Sequence, residues 1–167
     1  MSLQLGIPLF LVGAVLQAAL VPRLRIFGGQ PDLIVVIVLV WAYLDRTQEG
    51  LVWGFVGGFF IDLLSGVPPG ISTLALVPVA FLVSTVEFGL YRGTILVPLG
   101  LAAGGALGYH LLTMILLRFL VNYPIDFGHA LINITLPSVI FDMIIFIPLL
   151  SLLERGYDRL HPRAVKI

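Results

Sequence analysis

Residues Gly93–Leu117 read GTILVPLGLAAGGALGYHLLTMILL, and this run decides the fold. It contains no Asp, Glu, Lys or Arg. A helix of about 20 apolar residues, rising ~1.5 Å per residue, crosses a hydrocarbon core of ~30 Å. This run is long enough. In a soluble protein it would need a large core around it. The chain has 167 residues, of which 59% are hydrophobic and 11% charged, whereas soluble domains carry about 25% charged residues. Its mean hydropathy is +1.11. A short chain leaves much of its surface exposed, and lipid is the solvent that accepts so apolar a surface.

Working outward from this run, the same reading gives six helices, at about 3–21, 31–44, 50–64, 71–86, 93–117 and 128–153. A polar tail, 154–167, follows. Turns separate the runs: Gly28-Gly29-Gln30-Pro31 after the first, Gly66-Val67-Pro68-Pro69-Gly70 after the third, and Asn122-Tyr123-Pro124 after the fifth. The second and third runs do not merge, because Asp45, Arg46 and Glu49 would then sit at mid-bilayer. The predicted class is an all-α integral membrane protein, a six-helix transmembrane bundle. Arg46, Arg92, Arg155, Arg159, Arg163 and Lys166 fall on the side of the termini, against Arg23, Arg25 and Arg118 opposite. That excess predicts both termini in the cytoplasm.

Small residues mark the faces that meet protein. Gly50, Gly54 and Gly58 recur every four residues in the third run, and Gly100, Gly104 and Gly108 in the fifth. Such ridges let backbones approach closely, either inside one bundle or against a partner's span. Asp62 continues the first series by one step and is expected to face protein. Asp32 opens the second helix, where the helix dipole favours a carboxylate. Gln17 shares a face with Gly6 and Gly13. Gln17, Asp32 and Asp62 fall at similar depth, which fits a shared outer pocket or a set of separate interfacial caps. Thr135, Ser138 and Asp142 occupy one face of the sixth helix. Asp142 is the deepest charge. On insertion scales it costs about 2.5–3.5 kcal/mol, so it needs a partner or a proton, and His110 is the candidate. A proton or substrate relay is the functional alternative.

Catalytic chemistry is missing. An aspartyl protease needs facing carboxylates at one depth, and no Gly-Asp dipeptide occurs. Ser65 and Ser138 have no His nearby in sequence, and there is no Gly-x-Ser-x-Gly. His110, His129 and His161 are scattered, so no metal motif is present. Cysteine is absent and net charge is zero, with no basic run for nucleic acid. No phosphate loop or dinucleotide fingerprint occurs. The reading is of a non-enzyme without cofactors.

Pro31-Asp32-Leu33, the glycine series Gly50–Gly58, and Asp62-Leu63-Leu64-Ser65-Gly66-Val67-Pro68-Pro69-Gly70 together resemble the bacterial rod shape-determining MreD family. Gln17 also matches its habit. Here Gly58-Phe59-Phe60-Ile61-Asp62 carries aromatic bulk where small or aliphatic residues are usual. The resemblance implies a non-catalytic scaffold in the bacterial inner membrane. Its implied partners are single-span MreC, MreB filaments, and the peptidoglycan synthase RodA with its transpeptidase. It also implies a fold similar to the substrate-binding subunits of energy-coupling-factor transporters, a likeness that does not carry function. The expected partner or pocket surface is Gln17, Asp32, Asp62, Gly66, Pro68 and Gly70. The tail around Arg155–Lys166 reads first as a positive-inside anchor, with contact to anionic lipid or a cytoplasmic partner as the alternative. A vitamin-type transporter subunit is the competing function. It lacks the several placed polar groups that a small-molecule site needs.

Overall fold

The computed structural model describes residues 3–20, 28–44, 49–86 and 95–160. Arg23, Arg25, Arg46, Arg92, Arg163 and Lys166, on which most of the expected orientation rests, lie outside the described residues, as does Asp45. Six helices follow in order: α1 (Leu3–Leu20), α2 (Leu33–Leu44), α3 (Glu49–Ser65), α4 (Ile71–Ser84), α5 (Leu96–Leu120) and α6. The last begins as Phe127–Ala130, passes through a π-turn at Leu131–Thr135 and continues as Leu136–Leu160. It therefore runs past 153, and the expected tail begins as helix. Helix α5 and the Phe127–Arg155 stretch of α6 are long and apolar enough to cross a membrane. The other four helices are shorter and also apolar.

The distribution of polarity is that of a membrane protein. Large apolar side chains point outward along whole helix faces: Val52, Phe55, Phe59 and Leu63 on α3, and Ile132, Leu136, Ile140 and Ile144 on α6. The interior holds Asp62, Ser72, Thr135, Ser138 and Asp142. Water would reverse this arrangement, because exposed apolar area costs about 25 cal/mol per Å² and buried carboxylates cost more. Hydrocarbon removes the first cost and makes inward-turned polar groups the better choice.

Helix α2 is the axis of the bundle. It touches each of the other five helices, and every residue from Ile34 to Leu44 is buried. A helix that is apolar all round must be enclosed. This one has 12 residues, about 18 Å at helical rise, which is short of a ~30 Å core. Its neighbours shelter it, so its length is set by the bundle and not by lipid.

Helices α3 and α4 form a tight hairpin. A Cβ on Gly50 would come 2.9 Å from the Ser84 Cβ, and one on Gly54 would come 3.0 Å from the Ala80 Cβ. One on Gly58 would collide with the Thr73 backbone. The glycine ridge of α3 thus lets α4 lie against its backbone. Gly57, on the adjoining face, approaches Val38 of α2. Helix α1 closes the other side. Phe10 stacks on Trp53 with ring centroids 5.3 Å apart, and Gly6 leaves room for the Trp53 ring.

The ridge of α5 behaves differently from the packing expected of it. A Cβ at Gly100 or Gly104 would meet no described atom within 4 Å, and one at Gly108 would make ordinary contact with Val79. The close approach in α5 is instead at Gly105, where a Cβ would lie 2.7 Å from Leu39 of α2. The four-residue spacing was a guide to one face of the helix, but the neighbour lies one residue round.

Candidate functional site

The first turn of any helix leaves backbone N–H groups without helical partners. In α2 those groups are met by side chains from other helices. The Asp32 N–H donates to Oδ1 of Asp142 at 2.7 Å. The Ile34 N–H donates to Oε1 of Gln17 at 3.0 Å. Just upstream, the Gln30 N–H donates to the Ser138 hydroxyl at 3.0 Å. The Gln17 amide also donates, through Nε2, to Oδ1 of Asp32 at 3.2 Å. One glutamine from α1 and two residues of α6 therefore hold the start of α2.

The connector reaches α6 because it is glycine. Gly28 has φ +86°, and a Cβ there would sit 2.5 Å from the Asn133 carbonyl. A Cβ on Gly29 would sit 2.5 Å from the Pro137 Cβ and 2.7 Å from the Ser138 nitrogen. The π-turn lies under this contact. Pro137 follows it and has no N–H with which to continue the α-helical ladder. Single π-turns inside α-helices are frequent at functional sites.

His110 of α5 completes the cluster. Its Nε2 lies 3.4 Å from Oδ2 of Asp32 and 4.0 Å from Oδ2 of Asp142. Nε2 and the Asp142 Oδ2 are both buried and make no hydrogen bond among the described residues. Asp142 is 1% exposed, while Asp32 and His110 are each 14% exposed at the side chain. Asp142 is thus enclosed, while Asp32 and His110 keep a slight exposure among the described residues.

Of the sequence-chosen residues, Gln17, Asp32, His110, Ser138 and Asp142 meet here. Thr135 is fully buried on the same face of α6, with its hydroxyl unpaired among the described residues. Asp62 does not join the expected shared pocket. Its Oδ2 accepts from the Gly70 N–H at 2.9 Å, the Thr73 N–H at 3.2 Å and the Thr73 hydroxyl at 2.7 Å. Its Oδ1 accepts from the Ser72 N–H at 2.8 Å. Both oxygens cap the start of α4, and the side chain is buried, so it offers no surface to a partner. Gly66, Pro68 and Gly70 form the turn that this capping stabilises. Gly66 and Gly70 have φ of +67° and +97°, which only glycine adopts freely, while Pro68 is exposed. The connector residues Gly28 to Gln30 escaped the sequence reading as site residues. Their Gly-Gly pair signalled only a turn.

The family described as rod shape-determining protein MreD matches residues 1–157 of the chain. No curated protein matches. No solved structure matches, so the likeness to transporter subunits rests on the family resemblance alone. The match spans all six helices, including the C-terminal helices that supply His110 and Asp142. The chain belongs to the MreD family, membrane proteins of the machinery that determines rod shape.

Proposed function

We propose that this protein is a non-catalytic scaffold that crosses the bacterial inner membrane six times, with both termini in the cytoplasm. It binds single-span MreC and helps couple MreB filaments inside to the RodA–transpeptidase pair outside. Family membership supports the role in rod shape. The partner list follows the family resemblance.

One structural observation supports a scaffold that works through helix faces. The glycine ridge of α3 is filled by α4, while Gly100 and Gly104 of α5 stay open among the described residues. An open small-residue ridge suits a partner's single span. The exposed Leu63–Gly66 corner and Pro68 give a second contact at one end of the bundle. The partner surface is therefore drawn at α5 and this corner, with Asp62 beneath the corner as its support. The transporter reading is not supported: Gln17 and one oxygen each of Asp32 and Asp142 are engaged in holding α2.

The test is co-purification of full-length protein with MreC in mild detergent. Wild type is expected to carry MreC through size exclusion. Gly100→Leu with Gly104→Leu should lose it while remaining monodisperse. Undiminished MreC in that variant would remove α5 from the interface. No MreC with the wild type would remove the scaffold reading.

A further inference from the structure

We propose that Asp32, His110 and Asp142 bind one divalent transition-metal cation of the zinc class where α2, α5 and α6 meet. Each residue offers a ligand atom, and all three atoms lie within 4.8 Å of one another. The arrangement is built. Asp142 has one oxygen fixed by the Asp32 N–H, and Asp32 has one fixed by the Gln17 amide. The second oxygen of each carboxylate faces the same point, the Nε2 of His110. Hydrogen bonds that orient metal ligands from outside are a normal part of such sites.

The distances suit a small cation. Zinc sits about 2.0–2.2 Å from nitrogen and oxygen ligands in tetrahedral geometry, which places neighbouring ligand atoms roughly 3.4 Å apart. The two measured separations are 3.4 and 4.0 Å. The three ligand atoms span up to 4.8 Å, so a contraction of up to about 1.4 Å at the widest pair would close the site. Gln17 cannot supply a fourth ligand without releasing α2, since its carbonyl oxygen holds the Ile34 N–H. The fourth position is left to water or another small donor.

An imidazolium ion pair is the simpler occupant of the same space, and two features argue against it. Nε2 makes no hydrogen bond to either carboxylate among the described residues. The Asp142 Oδ2, on a side chain only 1% exposed, has no donor at all among them. With both carboxylates ionised and the imidazole neutral, the group would carry a charge of −2 into the bundle. A divalent cation brings the group to neutrality, which an apolar setting strongly favours. Asp32 and His110 are each 14% exposed at the side chain, so the cluster is not wholly sealed among the described residues. A bound cation would tie α2, α5 and α6 together.

Full-length protein is purified in mild detergent, stripped with chelator, and titrated with Zn²⁺ and with Co²⁺. Elemental analysis after desalting should give about one metal per chain, and Co²⁺ should show absorption bands of nitrogen–oxygen coordination. His110→Gln is the main variant, because His110 gives up no hydrogen bond that holds the fold. It should elute as wild type and lose both signals. Asp142→Asn serves as a second variant, with its elution profile as the control for folding. No retained metal in the wild type would overturn the proposal. Equal retention by wild type and His110→Gln would do the same, locating the metal at exposed groups such as His129. Neither result touches the scaffold reading, because no partner enters the assay.

Discussion

The backbone N–H of Asp32 donates to Oδ1 of Asp142 at 2.7 Å, which ties the first turn of α2 to the middle of α6 across more than half of the chain. A carboxylate inside a membrane helix needs compensation, and an open helix start needs acceptors. Each supplies what the other lacks. This pairing explains why Asp142, the most buried acidic residue among the described residues, sits where α2 begins.

Replacing Asp142 separates acceptor from charge. Asp142→Leu leaves the Asp32 N–H buried without a partner, at a cost of about 1–3 kcal/mol. Asp142→Asn keeps a carbonyl acceptor and should lose less. Unfolding in mixed micelles should rank the stabilities as wild type, then Asn, then Leu. Equal losses for the two variants would mean that the hydrogen bond contributes nothing.

Asp62 stabilises a different joint. Asp62→Leu removes the acceptor for three backbone N–H groups and one hydroxyl at the start of α4. Loss of a helix cap costs about 0.5–2 kcal/mol, and stranded buried donors add to it. A lower unfolding midpoint should therefore accompany any loss of MreC from this variant. Loss of MreC at unchanged stability would return Asp62 to the partner surface.

The two glycine ridges should respond oppositely to alanine. Gly58→Ala forces a Cβ into the Thr73 backbone, and overpacking of this kind costs about 1–3 kcal/mol. Gly104→Ala meets no described neighbour and gains up to about 1 kcal/mol of helix propensity. Thermal unfolding of the two variants in detergent checks both signs.

The chain lacks cysteine, so engineered pairs report cleanly on the hairpin. Gly54→Cys with Ala80→Cys should crosslink under mild oxidation after the helices part by about 0.5 Å, because the two Cβ positions lie 3.0 Å apart, just short of the roughly 3.5–4.5 Å of a relaxed disulfide. Gly100→Cys with Ala80→Cys serves as the negative control. Gel mobility with and without reductant reads both.

The sequence made some of this legible. Charge scarcity and run length pointed to helices in lipid. The i, i+3, i+7 spacing placed Thr135, Ser138 and Asp142 on one inward face, and the small-residue face of α1 carried Gln17 inward. Periodicity tells which side of a helix turns in, but not which helix it meets. Asp62 was therefore grouped with Gln17 and Asp32 by depth alone, when its oxygens belong to α4. The spacing of Gly100, Gly104 and Gly108 left packing inside the bundle or against a partner open, and the close approach to α2 is made at Gly105. The π-turn at Leu131–Thr135 left no periodic trace, and Gly28 and Gly29 read as a turn when they also make close contact with α6.

The central claim is that polar groups of this chain face protein while its apolar faces meet acyl chains. Single spin labels at positions 140, 144 and 152 of α6, all outward-facing isoleucine or leucine, test it in reconstituted bilayers. Power saturation should show strong relaxation by oxygen and weak relaxation by a water-soluble nickel chelate at all three. Strong relaxation by the chelate at 140 and 144, with little from oxygen, would contradict the account.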